Sequence, residues 1–292
     1  MELVSPERVL IAVVAEDREP YTSEVVYLFK TLDHFGGDLS RARRVAYFVE
    51  SADSLSTERL ADLGVTIKIV ESVDIRCPHA NKLQMLDTTE DCDYLVALDT
   101  DLVITRDFSA YIQGSGIAAK PAGRTRLSED QWRKLFEYFD LEMPLARFLT
   151  TARLQETIPY FNSGVLVVPK KHLSALRSEW SSFIGKLLDA YSDLPDVGEQ
   201  RHFTDQFALT LALASAKLPF RALPLEMNFP TDRRVHAALE PRRLTPYILH
   251  YHHRLSPTGD IQFCAYEEVN TVIAEVNACL RSAEHEAARG SA

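Results

Sequence analysis

The sequence predicts an α/β fold with a mainly parallel sheet covered by helices, and two observations carry the prediction. Short β-rich runs alternate with helical patterns through the first half of the chain, the order expected when helices cross over between parallel strands. The 292 residues are 46% hydrophobic and 25% charged, which suits one large domain or two tightly fused ones, because single cores stop growing near roughly 250–300 residues.

The elements follow in order. Strands are expected at residues 9–14, 45–49, 65–70 and 94–98. Between the first two, Val25, Val26, Leu28, Phe29 and Leu32 recur at helical spacing. Residues 116–119 and 160–168 read as further strands. Between them, residues 130–153 are polar and aromatic with helical spacing at Trp132, Leu135, Phe136 and Phe139. An insertion at that place serves as a lid or substrate wall, or as a packed helical pair. A helix is expected over 207–214. A second apolar stripe, Val269, Val272, Ile273, Val276 and Leu280, is the docking face of a C-terminal helix, beyond which residues 284–292 should fray.

Composition removes several classes of function. With 42 Asp and Glu against 32 Lys and Arg, the formal charge of −10 repels nucleic-acid backbones, so no nucleic-acid partner is expected. The apolar stretch at 9–15 is far shorter than the roughly 18–20 residues of a membrane span. Glu2 and Glu7 precede it where a signal peptide carries positive charge. A cytoplasmic protein without a transmembrane segment is expected. Cys77, Cys92, Cys264 and Cys279 are scattered and read as reduced thiols. Neither G-x-G-x-x-G nor G-x-x-x-x-G-K-[ST] occurs, which weighs against ordinary dehydrogenases and P-loop kinases.

Ligands of open α/β sheets bind beyond the carboxyl ends of the strands, so the residues just after each strand matter most. The run Tyr94-Leu-Val-Ala-Leu ends in Asp99-Thr100-Asp101. In extended backbone Asp99 and Asp101 point one way and Thr100 the other. Two convergent carboxylates suit a hard divalent cation shared with substrate phosphates, and solvated turn residues are the plainer explanation. In Tyr160-Phe161-Asn162-Ser163-Gly164, small polar groups precede an apolar strand and need partners from backbone or from a polyhydroxylated ligand. Lys82, near the start of a helix beginning about His79, opposes the helix dipole by roughly 0.3–1 kcal/mol, which hints at a nearby anion unless the side chain simply extends into water. Asp205 stands in a first helical turn, where an acidic residue is ordinary helix-end chemistry.

His250 begins the run His250-Tyr251-His252-His253-Arg254. Read as a strand, this places His250 and His252 on one face and His253 on the other. Residues 221–254 hold Arg221, Arg233, Arg234, Arg242, Arg243 and Arg254 against Glu226, Asp232 and Glu240. That local basicity fits a diphosphate-binding wall, a solvated face or an acceptor patch.

Taken in order, six pieces resemble the GT-A glycosyltransferases, and among them the retaining group that includes glycogenin and bacterial lipopolysaccharide galactosyltransferases. They are Ala15-Glu16-Asp17 with Tyr21, Asn81-Lys82-Leu83, Leu98-Asp99-Thr100-Asp101, Phe161-Asn162-Ser163-Gly164-Val165, Asp205-Gln206 and Ile248-Leu249-His250-Tyr251. The resemblance implies the GT-A (nucleotide-diphospho-sugar transferase) fold, a Rossmann-like mainly parallel sheet flanked by helices. It implies transfer of a sugar from a nucleotide sugar, a UDP-sugar by preference, to an acceptor hydroxyl on a glycan, a lipid-linked carrier or a small molecule, with retention of configuration.

By the same resemblance Ala15, Asp17 and Tyr21 line the base and ribose pocket. Asp99, Asp101 and His250 hold the metal, manganese ahead of magnesium because an imidazole joins the carboxylates. Lys82 lies near the donor, and Asn162, Ser163, Asp205 and Gln206 surround the transferred sugar, with Asp205, Gln206 and Asn162 in the catalytic roles. The spacing from Ala15 to Tyr21 is longer than in the relatives, and the H-F-x-G-x-x-K-P-W ending is absent after His250. Arg254 is the substitute for the second phosphate-binding lysine.

The expected organisation is one catalytic domain over 1–292. Within it, 1–101 form the nucleotide-binding half and 102–254 the acceptor and metal half, with a helical insertion at about 128–153; 255–292 form the C-terminal helix and tail. Two other functions fit parts of the pattern, a sugar nucleotidyltransferase and a non-catalytic nucleotide-sugar-binding module. The first lacks its glycine- and arginine-rich loop after strand one, and the second is opposed by the intact Asp99, Asp101 and His250.

Overall fold

The computed structural model describes residues 4–239 and 245–290, apart from the side chains of 54–56, 239 and 283–290. The first half contains β1 (Val9–Glu16), α1 (Tyr21–Phe35), β2 (Arg43–Val49), α2 (Ser54–Asp62), β3 (Val65–Val70), α3 (Leu83–Leu86), β4 (Tyr94–Leu98), β5 (Leu102–Ile104) and β6 (Ile117–Pro121). There follow α4 (Glu129–Tyr138), β7 (Phe148–Leu149), β8 (Glu156–Thr157), β9 (Phe161–Pro169), α5 (Leu173–Ala190), α6 (Pro195–Gly198) and α7 (Thr204–Ser215). The chain closes with β10 (Phe220–Ala222), β11 (Phe229–Pro230), β12 (Ile248–His250) and α8 (Glu267–Gly290).

Seven strands form the central sheet in the order β10-β6-β9-β4-β1-β2-β3. Neighbours pair in parallel except around β9, which runs antiparallel to both β4 and β6. The sheet is therefore mainly parallel, as predicted. Its strands are apolar on both faces because both faces are covered. Leu10 and Ala12 of β1, Leu95 and Ala97 of β4, and Leu166 and Val168 of β9 pack with α5 and α7. The alternate residues, Ile11, Val13, Val96, Leu98, Val165 and Val167, pack with α1. Val25, Leu28, Phe29 and Leu32 form the buried stripe of α1 that the helical spacing announced.

A smaller sheet, β11-β12-β5, sits beside the carboxyl edge of the large one. Its antiparallel pairing sets His250 opposite Leu102, the residue after Asp101. Val269, Ile273, Val276 and Leu280 of α8 are buried against this sheet through Leu249 and Tyr251.

Two expectations are corrected. The insertion over about 128–153 is helical only in α4, which starts with a capping box at Ser128 and Gln131. Asp140 adopts a left-handed conformation, φ 53°, Pro144 follows, and the chain returns as the β7–β8 hairpin. Trp132, Leu135 and Phe136 of α4 are buried in the core, with Trp132 against Tyr160 and Phe207 at 5.5 and 5.4 Å between ring centres. At the C-terminus, α8 is helical through Gly290, where fraying was expected from residue 284, and residues 291–292 lie outside the described residues. No helix among the described residues is long and apolar enough to cross a membrane, and all four cysteines are free.

Candidate active site

A cavity of about 640 Å³ runs along the carboxyl edge of the large sheet. At one end it meets Val49 at the end of β2, Ala15 and Glu16 at the end of β1, and Arg18 and Tyr21 just beyond. Its middle holds Asp99, Asp101, Asn162, Asp205, Gln206 and His250, and its far end Ala122, Gly123, Arg124, Arg126 and Arg233.

Strand pairing assembles the middle. The Asp99 N–H donates to the Gly164 carbonyl at 2.9 Å, continuing the β4–β9 ladder, and the Tyr251 N–H donates to the Asp101 carbonyl at 3.1 Å, continuing β5–β12. One ligand atom each from Asp99, Asp101 and His250 lie within 4.8 Å of one another. Thr100 points the opposite way, as period two requires, and its hydroxyl donates to Glu24 of α1 at 2.8 Å. A side chain at Gly164 would not fit: its Cβ would lie 2.8 Å from Asp99 Oδ2 and 3.1 Å from His250 Cε1.

A hydrogen-bond chain determines the state of His250. The Gly164 N–H donates to Asn162 Oδ1 at 3.0 Å, and the same oxygen accepts Asn228 Nδ2 at 2.8 Å. Asn228 Oδ1 therefore faces His250 Nδ1 at 2.9 Å, and that nitrogen carries the proton. Nε2 and Asp101 Oδ2 then confront each other at 3.1 Å. Two lone pairs at that distance require a cation between them, either a second proton or a metal ion. The donor set of two carboxylates and one imidazole, with its outer partner in place, fits a divalent metal.

Charges around the cluster are closely coupled. Burial pushes the Asp101 carboxyl up, but the facing His250 imidazole, with His253 and His252 behind it, holds it well below the usual carboxylate range. Burial, aided by His250, pulls His252 down to about 4. Its ring stacks on His250 at 3.9 Å. His253 donates to buried Glu24 at 2.8 Å and is raised to about 9 by that bond. Lys82 is 9% exposed; burial opposes its charge, yet Asp99 at 2.7 Å and Asp205 at 3.6 Å raise its pKa. Ser163 accepts from Lys82 at 3.0 Å and donates to Asp205 at 2.6 Å.

Residues 11–217 match the family described as the Rhodobacterales glycosyltransferase domain. The chain belongs to that family. The Rhodobacterales glycosyltransferase domain makes this protein a glycosyltransferase, and solved structures place its fold in the GT-A class. The galactosyltransferase LgtC, in complex with donor and acceptor sugar analogs, superposes with TM-score 0.62 at 14% identity over 94% of this chain and 95% of that one. GlyE of Streptococcus pneumoniae TIGR4 gives 0.54 at 16% identity over 95% of this chain and 63% of its own. Mouse xyloside xylosyltransferase 1 gives 0.51 at 14% identity over 84% and 97%. No curated protein matches the sequence significantly.

Within this glycosyltransferase the structure gathers most of the expected residues. Ala15, Tyr21, Lys82, Asp99, Asp101, Asn162, Asp205, Gln206 and His250 all line the cavity, and Ser163 lies just behind it, bridging Lys82 and Asp205. The anion expected near Lys82 is supplied by the protein's own Asp99 and Asp205. The Asp205 side chain turns to Ser163 rather than back onto its helix, and α7 has no side-chain cap.

Two expected residues lie elsewhere. Asp17 accepts from Ser51 Oγ at 2.7 Å and Asp53 N at 3.1 Å, and it lines a smaller hollow that adjoins the cavity and shares Glu16, Arg18 and Val49 with it. Arg254 donates to the Thr231 carbonyl at 3.4 Å and to Gln262 at 3.3 Å, outside the cavity. The reason is local: His252 and His253 both have positive φ, 52° and 56°, and this turn carries Arg254 away. From the same basic segment Arg233 reaches the cavity, while Arg242 and Arg243 lie outside the described residues. No residue of the 128–153 insertion lines the cavity, so among the described residues it forms neither lid nor wall.

Sequence reasoning missed Asn228, Glu24, Arg18, Arg124 and Arg126. Asn228 stands in an apolar-flanked turn with no motif around it. Glu24 falls in the first turn of α1, where an acidic residue draws no notice.

Proposed function

We propose that this glycosyltransferase moves a sugar from a nucleotide sugar, a UDP-sugar by preference, to an acceptor hydroxyl with retention of configuration, and that it depends on a divalent metal, manganese ahead of magnesium. The observation that carries the reading is the pairing of β5 with β12, which sets His250 against Asp101 beside Asp99. A divalent cation held by Asp99, Asp101 and His250 supplies Lewis-acid stabilisation of the charge on the departing nucleoside diphosphate.

The chain's own residues do the rest. Tyr21, under the Arg18 guanidinium at 4.8 Å, offers a ring face to the base. Lys82 keeps its positive charge at the buried centre, where preorganised charge acts most strongly on a leaving group. Asn228 and Asn162 hold the His250 ring in one tautomer. Asp205 places a carboxylate across from Lys82, where it offsets positive charge that develops on the sugar carbon, and Gln206 beside it binds the sugar's hydroxyls. With no further base required, the departing phosphate takes the acceptor's proton on the face from which it left.

The test is a screen of nucleotide sugars by thermal shift and by turnover, with manganese and with excess chelator. Turnover should vanish on chelation and return best with manganese, and full activity in chelator overturns metal dependence. Proton NMR of the first product from an α-linked donor should show an α linkage, and a β-linked product refutes retention.

A further inference from the structure

We propose that the acceptor of this transferase carries an anionic group, a carboxylate or a phosphate, held by Arg124, Arg126 and Arg233 at the β6 end of the cavity. The proposal rests on the glycosyl-transfer reading above and names the chemical class of its acceptor.

Position separates this cluster from the diphosphate. The metal cluster follows β4, and the nucleotide end follows β1 and β2 on one side of it. Gly123 and Arg124 follow β6, two strand positions from β4 on the other side, or about 10 Å at the usual strand spacing. A diphosphate bridging the metal ligands and the nucleotide end extends away from these arginines. A group bound to them lies where the second substrate must approach the sugar.

The three guanidinium groups form a concentration of charge with little to balance it. Among the described residues Arg124 and Arg126 make no ion pair, and Arg233 pairs only with Asp232 beside it in the chain. Arg124 is exposed and hydrated, but Arg126 is half-buried, so an anion that reaches it meets a charge that water only partly screens. Arg126 lies over the Phe203 ring at 3.9 Å, which holds its plane, and its guanidinium meets the Tyr160 hydroxyl. Burial lowers the Arg126 pKa, and the charges of Arg233 and Arg124 press it the same way, opposed by Tyr160. Below them Lys120 is buried in β6 and, among the described residues, donates to the Pro121 carbonyl at 3.2 Å and Thr151 Oγ1 at 3.5 Å alone. Burial, with Arg233 nearby, pulls it down to about 7. A bound anion relieves this mutual repulsion, and arginine's planar fork suits carboxylate and phosphate alike.

The experiment loads the protein with UDP and manganese, so that the metal end is filled, and titrates glucose, glucuronate and glucose 6-phosphate while following the melting temperature. At least one charged sugar should bind ten times more tightly than glucose or better, and the preference should weaken as salt is raised. Comparison of glucuronate with glucose 6-phosphate identifies the anion. Arg124→Gln combined with Arg126→Gln should erase the preference. Because Arg124 is exposed, Arg124→Gln alone should weaken it without disturbing packing. Arg133→Gln, on the outer side of α4, should retain it. Equal binding of charged and neutral sugars, or a preference that survives the double substitution, overturns the proposal. Hydrolysis of nucleotide sugars without acceptor is measured in parallel. Failure to hydrolyse any of them overturns the transfer reading, whereas hydrolysis without anion preference overturns the acceptor class alone.

Discussion

The two ends of the cavity are built on opposite plans. At the β4 end, Asp99, Asp101, Asn162, Ser163, Asp205, Asn228 and His250 interlock through short hydrogen bonds and ion pairs, with Lys82 buried between two carboxylates. At the β6 end, Arg124 and Arg126 have no carboxylate partner among the described residues. Saturated polar networks are rigid and leave each group one arrangement. The contrast teaches that the residues proposed to carry the chemistry hold one another in place and lack only the cation between Asp101 and His250, while the arginines proposed to recognise the second substrate are left for a ligand to complete.

Substitutions at the satisfied end can break that contrast, beginning with the largest effect. Asp101→Asn should reduce nucleotide-sugar turnover by about a hundredfold or more, the scale of losing a strong electrostatic stabiliser. Steady-state rates in saturating manganese decide it, and a rate near wild type would mean the cluster is not the reactive end. Asn228→Ala removes the acceptor of the His250 Nδ1 proton and should weaken manganese binding by about 10–100-fold, as outer partners of metal ligands do. Calorimetric titration of the metal measures this, and unchanged affinity would detach Asn228 from the site.

Asp205→Asn sharpens the comparison further. It should lower kcat by at least about tenfold while KM changes little, because the carboxylate acts on charge present only in the transition state. A kcat equal to wild type would return Asp205 to its place in α7 alone. Smallest of the four, Tyr21→Ala should weaken UDP binding by about 1 kcal/mol or more, the lower end for a ring stacked on a base. Identical binding enthalpies and affinities for the two proteins would remove Tyr21 from the nucleotide end.

Much of the satisfied end was legible in the sequence. Its residues occupy strand ends where the period of two and continuous apolar runs define direction, so the order of residues alone assigns sides to Asp99, Thr100 and Asp101. Strands 65–70 and 94–98 were readable for the same reason. The pairing of His250 with His252 on one side also holds, although it arises from a left-handed turn and ring stacking rather than from a continuing strand. That turn is what sequence pattern could not supply, since no glycine or asparagine signals positive φ at His252 and His253. The displacement of Arg254 follows from it.

Asp17 faces the adjoining hollow for a related reason. Its partners Ser51 and Asp53 lie in the β2–α2 connection, remote in sequence, and no local period encodes such a tie. The insertion kept only one helix because Asp140 and Pro144 interrupt an aromatic spacing that otherwise continues to Phe148.

The contact between Asp101 and His250 joins residues 149 positions apart, by way of two strands of three residues each, β5 and β12. Closing so long a loop is entropically unfavourable, and each doubling of its length adds only about 0.6 kcal/mol, so the decisive cost is that the contact must wait. Strands β1 to β4 can collapse with α1 as soon as they are made, but His250 emerges from the ribosome after most of the chain. A nascent chain therefore completes the β1 and β2 end of the cavity first and the Asp99–Asp101–His250 cluster last. Synthesis from the amino end therefore delivers Asp99 and Asp101 long before His250, and the three come together only when β12 docks on β5.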